Sequence, residues 1–392
     1  MKSENIKKVA VIGAGHMGHG IAEVALLSDY FVSLCDIEED IVSQGKSLID
    51  WSLRKFVEKS KITEQKRINL LNNLETTIDL EKAAKNTILC IEAVPEKFEL
   101  KKEIFSKLDN FSPKRAILAS NTSTMSITEI GNATQRPDKV VGLHFPPPPV
   151  LAKVIEIVRG DKTSESTIKF AVDFVKTAGK ESIISKDSPG FICNRIMAPS
   201  MLLIQLMLDR KEYPPAEIDA AALNMGMNMG PYELLDYIGL DIVYDTSKYL
   251  AKRLSPDYSL AQTISMLVKE GKLGRKTGEG IYKWLPGGKR PIIDLSNPAD
   301  FDLMDLMRVQ INEAVKVLEE GIATLHDIDL GMKLHYHNPW GPFELVEHMN
   351  LSELTEFLDN LADKYGKEVF RAHKWIRDQS LPERITQKKG NK

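Results

Sequence analysis

A histidine and a glutamate lie in two consecutive apolar segments and could act together as an acid–base pair. Glu156 interrupts the apolar run 154–158, and His144 ends the preceding run, 140–144. A carboxylate is rarely buried without a partner, because removing an unpaired charge from water is costly. A carboxylate held against one imidazole nitrogen leaves the other nitrogen as acid or base near neutral pH. On these two residues alone, a structural His–Glu pair is an equally good interpretation.

Two further polar segments could supply hydrogen-bond donors beside such a pair. The segment 120–124 reads Ser-Asn-Thr-Ser-Thr and ends a predicted strand, and Asn194 lies in the segment 189–195. Taken singly, a Ser/Thr cluster is usually a turn and an asparagine is usually a helix cap. Open α/β sheets bind ligands at the edge where their strands end. Both segments are therefore candidates for contacting a substrate oxygen.

A glycine-rich turn follows the first apolar run, 8–12. Gly13 allows a tight turn, Gly15 lets a pyrophosphate approach the backbone, and Gly18 lets a helix pack on the strand. The helix predicted from residue 16 to about 28 presents free N–H groups and a partial positive charge at this turn. The residues predicted to bind a dinucleotide here are Gly13, Gly15, His16, Met17 and Gly18.

An aspartate at the end of the second apolar run indicates which dinucleotide is bound. Asp36 ends the run 31–36. A carboxylate at this place hydrogen-bonds the ribose hydroxyls of the adenosine and repels a 2′-phosphate. We therefore predict that the chain binds NAD rather than NADP. The alternative, that Asp36 is a surface acid without a role, is less favoured.

The composition of the chain narrows the class of protein. The 392 residues carry a net charge of −3, with 27% charged and 43% hydrophobic residues, which favours neither nucleic acid nor an anionic membrane as partner. There is no apolar run long enough for a membrane helix, and the polar N-terminus shows no signal peptide. Cys35, Cys90 and Cys193 have no metal-binding spacing, so we expect no metal and a cytoplasmic location.

The elements that must position these residues alternate between strands and helices as far as residue 187. This alternation predicts a doubly wound, mostly parallel sheet. A long stretch, about 37–75, reads as a helical arm of two helices broken near residues 60–63, with Thr63 capping the second helix. From residue 188 onward the pattern is helical.

The helical part contains two similar segments. Ile218-Asp219 followed by Gly230-Pro corresponds to Ile328-Asp329 followed by Gly341-Pro, with offsets of 110 and 111. The breaker cluster 286–291 lies between the two segments. We interpret them as a tandem repeat. The predicted domains are therefore 1–187, 188–286 and 292–385, an α/β domain followed by two all-α domains.

The ordered motifs of the chain resemble the L-3-hydroxyacyl-CoA dehydrogenase family, of the 3-hydroxybutyryl-CoA dehydrogenase kind. The motifs that carry the resemblance are G-A-G-H-M-G at 13–18, E-A-V-P-E at 92–96, S-N-T-S at 120–123, G-L-H-F at 142–145, P-G-F-I-C-N-R at 189–195, M-G-P-Y-E-L-L-D-Y-I-G-L-D at 229–241 and K-T-G-E-G-I-Y-K at 276–283. The resemblance implies a Rossmann-type domain and reversible NAD-dependent oxidation of an L-3-hydroxyacyl-CoA to the 3-oxoacyl-CoA.

The same resemblance assigns roles to individual residues. It implies that Ser123, His144 and Asn194 surround the reacting hydroxyl, with Glu156 behind His144. Residues implied to line the nicotinamide-ribose side are Glu96, Lys101 and Asn121. Residues implied to meet the CoA moiety are Ser52 and Lys59. The family commonly has H-F-F-N-P where this chain reads His144-Phe-Pro-Pro-Pro-Pro149, so Pro147 stands in place of an asparagine and supplies no side-chain amide. We expect a cis X–Pro bond in this loop.

In the family that this chain resembles, members with a single helical domain are dimers joined through that domain. The resemblance therefore implies that the second copy replaces a partner subunit, which gives an intramolecular pseudo-dimer and leaves a homo-oligomer open. Met304 stands where the first copy has Asn194, so we expect the second copy to be non-catalytic. Two alternatives remain: a dehydrogenase of a free hydroxy acid or sugar acid, and a non-catalytic NAD-binding structural protein.

Overall fold

The computed structural model describes residues 7–259 and 261–390. By internal contacts, the chain forms two compact units. Unit 1 comprises residues 1–192 and 322–341, and unit 2 comprises residues 193–321 and 342–392. The sequence-based division at residues 187, 286 and 292 stays a prediction.

Unit 1 is built on a sheet of eight strands in the order β3-β2-β1-β4-β5-β6-β7-β8. The strands are β1 (Lys8–Ile12), β2 (Phe31–Cys35), β3 (Leu74–Thr77), β4 (Thr87–Glu92), β5 (Ile117–Ser120), β6 (Val140–His144), β7 (Val154–Arg159) and β8 (Glu181–Lys186). Neighbouring strands are parallel except β6 and β7, which are antiparallel. The predicted doubly wound, mostly parallel sheet is confirmed.

Helices cover both faces of this sheet. They are α1 (Gly18–Leu27), α2 (Glu39–Glu58), α3 (Glu64–Asn72), α4 (Leu80–Ala84), α5 (Phe98–Phe111), α6 (Ile127–Gly131), α7 (Glu165–Thr177) and, from the later part of the chain, α14 (Leu325–Tyr336). In β1, Val9 and Val11 pack into one apolar core, whereas Ala10 and Ile12 pack into a second core. Successive side chains of a strand point to opposite faces, so a strand buried on both sides reads as a continuous apolar run.

The predicted helical arm consists of α2 and α3, followed by an unpredicted strand. Thr63 caps α3, because its side chain accepts a hydrogen bond from the backbone N–H of Lys66. Ile49 and Leu53 of α2 are fully buried in the core of unit 1. β3 was missed because this edge strand, Leu74-Glu-Thr-Thr77, has only one apolar residue.

Unit 2 is helical, as predicted for the C-terminal part of the chain. Its helices are α8 (Cys193–Arg210), α9 (Pro215–Asn224), α10 (Pro231–Ile238), α11 (Leu240–Arg253), α12 (Gln262–Lys269), α13 (Met304–Glu319), α15 (Pro342–Val346), α16 (Leu351–Tyr365), α17 (Lys374–Arg377) and α18 (Leu381–Gly390). Among the helices of the described ranges, none is long and apolar enough to cross a membrane.

The two Asp–Gly pairs that define the sequence repeat have the same local structure. A Cβ on Gly230 would lie 2.3 Å from the carboxyl carbon of Asp219, and a Cβ on Gly341 would lie 2.3 Å from an oxygen of Asp329. In the first pair the aspartate accepts hydrogen bonds from the backbone N–H groups of Tyr232 and Glu233, at the start of α10. In both pairs the aspartate occupies the space that a side chain on the glycine would need, which explains why both segments keep this pair.

Candidate active site

His144 and Glu156 are directly opposite each other on the antiparallel strands β6 and β7. The imidazole Nδ1 lies 3.0 Å from Oε2 of the carboxylate, and both residues are buried. The predicted proximity of the two side chains is therefore confirmed, while their catalytic role remains a prediction. Because the carboxylate engages Nδ1, Nε2 is the nitrogen that can exchange a proton with a ligand.

The carboxylate of Glu156 is fixed by a second contact that the sequence analysis missed. The backbone N–H of Ile192 donates to Oε1 of Glu156 at 2.6 Å. The two residues before Ile192 have positive φ angles, 78° at Gly190 and 54° at Phe191, in the left-handed region that favours glycine. The ring of Phe191 lies 6.1 Å from that of His144, centroid to centroid. Gly190 in the motif P-G-F was the available signal, since glycine favours this conformation.

The loop after β5 is hydrogen-bonded to the residue that follows His144. β5 and β6 are parallel neighbours. Their last residues, Ser120 and His144, therefore lie at the same edge of the sheet. Oδ1 of Asn121 accepts a hydrogen bond from the backbone N–H of Phe145 at 3.0 Å. The backbone N–H of Ser123 donates to Glu96 at 3.2 Å. The structure thus brings Asn121, Ser123 and Glu96 together at the edge where His144 lies.

A buried ion-pair network supports the same edge. Nζ of Lys101 lies 2.7 Å from Glu92 and 3.0 Å from Glu96, and Ser120 donates to Glu92 at 2.6 Å. Burial lowers the pKa of Lys101, but the carboxylates of Glu92 and Glu96 outweigh burial and raise it overall. Lys101 is therefore a permanent cation at this site. Glu92 was not predicted as a site residue, because a single acid at a strand end does not reveal its partners.

The glycine-rich turn has the shape that a dinucleotide needs. A Cβ on Gly13, whose φ is 100°, would lie 2.5 Å from the carbonyl oxygen of Ala93, so this position requires glycine. A Cβ on Gly15 would meet no protein atom within 4 Å. The backbone at Gly15 therefore faces open space at the start of α1, where a pyrophosphate could approach it. His16 is exposed and Met17 half-buried in the same turn.

Asp36 is held beside this turn. Its Oδ2 accepts a hydrogen bond from the backbone N–H of Ala14 at 2.6 Å, and Oδ1 accepts one from Ile37 at 2.7 Å. The carboxylate is therefore fixed between the glycine-rich turn and the end of β2. This position fits recognition of ribose hydroxyls and exclusion of a 2′-phosphate.

The two residues implied to meet CoA lie on α2 and at its end. The hydroxyl of Ser52 donates to Oε1 of Glu23 at 2.6 Å, and Lys59, which follows the last turn, is exposed. Glu23 is 1% exposed, and burial raises its pKa to about 7 against the opposing effect of the Ser52 hydrogen bond. No pattern in the sequence indicates Glu23 as the partner of Ser52. The contact of Ser52 and Lys59 with CoA stays a prediction.

Asn194 belongs to unit 2, in the first turn of α8. Met304 begins α13 at the corresponding place in the second segment. Next to Asn194, the buried guanidinium of Arg195 pairs with Glu313 at 2.9 Å and with Glu320 at 2.6 Å. Arg195 thus joins α8 to the second segment within unit 2.

The loop after His144 contains the cis X–Pro bond that was expected. The bond between Pro147 and Pro148 is cis, within the four-proline loop. Cys35, Cys90 and Cys193 are buried and form no disulfide.

Family models match both parts of the chain. The model described as 3-hydroxyacyl-CoA dehydrogenase, NAD binding domain, matches residues 8–188. The model described as 3-hydroxyacyl-CoA dehydrogenase, C-terminal domain, matches residues 190–284 and 305–392.

Individual relatives and solved structures agree with these matches. The chain is 40% identical over 291 residues to a mitochondrial hydroxyacyl-coenzyme A dehydrogenase from Rattus norvegicus, covering 71% of this chain and 91% of the relative. It is 36% identical to a probable 3-hydroxybutyryl-CoA dehydrogenase from Deinococcus radiodurans, covering 71% of this chain and all of the relative. A crystal structure of 3-hydroxybutyryl-CoA dehydrogenase from Escherichia coli K12 superposes with a TM-score of 0.85 at 26% identity, covering 99% of this chain and 100% of that one.

Proposed function

The chain belongs to the 3-hydroxyacyl-CoA dehydrogenase family, and from this premise we propose that it oxidises an L-3-hydroxyacyl-CoA, such as 3-hydroxybutyryl-CoA, reversibly to the 3-oxoacyl-CoA. It is an NAD-dependent oxidoreductase that acts on a CH–OH group. The observation that carries the assignment of the chemistry is the buried contact between His144 and Glu156.

In this proposal His144 is the general base. Its Nδ1–H donates to Glu156, so the lone pair on Nε2 is free to take the proton of the substrate hydroxyl. The imidazolium that forms is stabilised by the adjacent carboxylate, and in the reverse direction it returns the proton. Ser123 and Asn194 are proposed to donate hydrogen bonds to the reacting oxygen, where negative charge develops.

The cofactor would be held by the residues whose geometry fits it. The glycine-rich turn and α1 would take the pyrophosphate, and Asp36 would take the adenosine ribose. Glu96, Lys101 and Asn121 are proposed to line the nicotinamide-ribose side, and Ser52 and Lys59 the CoA moiety. Bound NAD supplies the hydride acceptor, which no amino-acid side chain provides.

One comparison of substrates tests the proposal against its alternatives. NADH consumption is measured with acetoacetyl-CoA, with longer 3-oxoacyl-CoA thioesters and with acetoacetate. We expect turnover of the thioesters and none of the free acid. Turnover of the free acid alone would favour the hydroxy-acid dehydrogenase instead. NADH binding without turnover of any substrate would favour the non-catalytic alternative.

We also propose that the helical repeat forms an intramolecular pseudo-dimer. Ser200 of α8 contacts Gln310 of α13 at 2.8 Å, and the two residues are 110 positions apart, like the two aspartates of the repeat. A residue that contacts its own equivalent is typical of a local two-fold axis.

A second pair of equivalent elements supports the same axis. The 3₁₀ turns Pro256–Tyr258 and Glu368–Phe370, one in each segment, lie against each other. The backbone N–H of Val369 donates to Asp257 at 2.8 Å, and Lys367 donates to Ser259 at 3.2 Å. Truncation near Gly288 should therefore expose apolar surface and cause aggregation or new self-association. A truncated chain that stays monomeric and equally stable would contradict the pseudo-dimer.

A further inference from the structure

The second segment of the repeat supplies a helix to unit 1. α14 packs against β7 and β8, and the backbone N–H of Lys186 in β8 donates to the carbonyl oxygen of Ile322 at 2.8 Å. β7 is the strand that carries Glu156. As a result, His335 near the end of α14 reaches His144, with ring centroids 5.5 Å apart and ring planes inclined at 45°.

The environment of His335 keeps its ring neutral. Burial lowers its pKa to about 3, and the neighbouring His144 and His337 act in the same direction. Its Nδ1 is buried and has no hydrogen-bond partner among the described residues. The ring of Tyr336 lies 4.5 Å away. His335 therefore presents an uncharged aromatic surface to His144 at neutral pH.

The contacts of His144 show what this surface can do. Glu156 holds Nδ1, and the rings of Phe191 and His335 lie 6.1 Å and 5.5 Å from the imidazole. One hydrogen bond at Nδ1 still lets the ring tilt by small rotations about the Cα–Cβ and Cβ–Cγ bonds of His144. Neighbouring rings restrict that motion and thereby determine where Nε2 points. Orientation matters because a displacement of about 1 Å between reacting groups can cost about 100-fold in rate.

We propose that His335 is a positioning residue for His144: its ring, packed 5.5 Å from the imidazole, fixes the imidazole in the orientation that presents Nε2 to the substrate. The proposal rests on the proposed function of His144 as general base. It also changes the role expected for the second segment of the repeat. That segment lacks an equivalent of Asn194, but it contributes one side chain to the surroundings of the catalytic imidazole.

Two substitutions at His335 distinguish the effect of the aromatic ring from the effect of its unpartnered Nδ1. His335→Ala removes the ring, and we expect kcat to fall about 10- to 100-fold while KM and NADH affinity stay near the wild-type values. His335→Phe keeps an aromatic ring and removes the unpartnered Nδ1. We therefore expect His335→Phe to restore most of kcat and to have an unchanged or higher Tm, because a buried polar atom without a partner is destabilising.

Met332→Ala is the matched control on the same helix. Met332 is fully buried in α14, so its truncation leaves a cavity and lowers Tm. We expect it to leave kcat at 25 °C within about 3-fold of wild type, because ring contacts with His144 are retained. A wild-type kcat in His335→Ala, or equal loss of kcat in His335→Ala and Met332→Ala, would overturn the proposal.

A measurement that needs no catalytic turnover tests the positioning role of His335 independently of the proposed function. Imidazole ¹⁵N chemical shifts of His144 report its tautomer and its hydrogen bond to Glu156 in the unliganded chain. We expect these shifts to change in His335→Ala and to stay close to wild type in His335→Phe and Met332→Ala. Unchanged shifts in His335→Ala would overturn the positioning role even if the enzyme is active. Absence of thioester turnover in the wild type, with these shifts as expected, would instead contradict the proposed function alone.

Discussion

Replacing Glu156 by glutamine tests the acid–base pair with almost no change in volume. The carboxylate accepts two hydrogen bonds, one from the Ile192 N–H and one from His144 Nδ1. A glutamine amide has one oxygen and one NH₂ group, so it can accept only one of them. The Ile192 N–H is always a donor, and the amide oxygen must therefore face it. The NH₂ group then faces Nδ1 and forces it to become an acceptor.

This exchange reverses the tautomer of His144. The proton moves to Nε2, so the nitrogen that should receive the substrate proton no longer has a lone pair. In the serine protease triad, where an Asp-to-Asn change also gives the wrong tautomer, kcat falls about 10⁴-fold. We expect Glu156→Gln to lower kcat for oxidation of L-3-hydroxybutyryl-CoA by about 10³- to 10⁴-fold, or about 4–5.5 kcal/mol in activation free energy.

The assay is NADH formation from L-3-hydroxybutyryl-CoA and NAD across the pH range. NADH affinity and Tm serve as controls, and both should remain near wild type because the amide fills the same space. A Glu156→Gln variant that retains kcat within about 10-fold, with an unchanged pH profile, would show that Glu156 does not control the tautomer of His144 during the reaction.

Three further predictions concern the cofactor site and a buried acid. Gly15→Ala should weaken NADH binding without lowering Tm, because its Cβ enters space that no protein atom occupies; an unchanged Kd would place the pyrophosphate elsewhere. Asp36→Ala should lower the ratio of kcat/KM for NAD over NADP at least about 10-fold, a free-energy change of about 1.4 kcal/mol, and a wild type that uses both cofactors equally would contradict this. Burial raises the Glu23 pKa from 4.5 to about 7. The contribution of the protonated Glu23 side chain to the stability of the fold is therefore fully present below pH 4.5 and is lost as the pH rises through 7. Glu23→Gln should therefore become more stable relative to wild type on going from pH 5 to pH 8, by up to about 3 kcal/mol in the free energy of unfolding, and a stability difference independent of pH would contradict it.

The features that could be predicted from the sequence are local or repeat a simple pattern. Gly13, Gly15 and Gly18 lie within six residues of one another, and the physical need of each is visible in the turn itself. His144 and Glu156 end or interrupt consecutive apolar strands, so their meeting required only that the two strands be neighbours. The cap by Thr63 is likewise a local interaction between a side chain and the next turn.

The features that could not be predicted depend on contacts between distant segments or on the backbone. The Ile192 N–H that holds Glu156 is a group every residue except proline carries, so its orientation has no signature in residue type. His335 reaches His144 only because α14, far along the chain, packs on β7 and β8. Glu23 is buried because α2 lies across α1, which no pattern within α1 reveals.

In the proposed reaction, His144 moves the proton during NAD-dependent oxidation of an L-3-hydroxyacyl-CoA. The most direct test measures NADH formation from L-3-hydroxybutyryl-CoA by wild type and His144→Gln, together with the NADH dissociation constant of each. General acid–base catalysis contributes about 100- to 10,000-fold, so we expect a loss of that size in kcat and an unchanged dissociation constant. A His144→Gln variant with near-normal turnover would show that His144 does not move the proton.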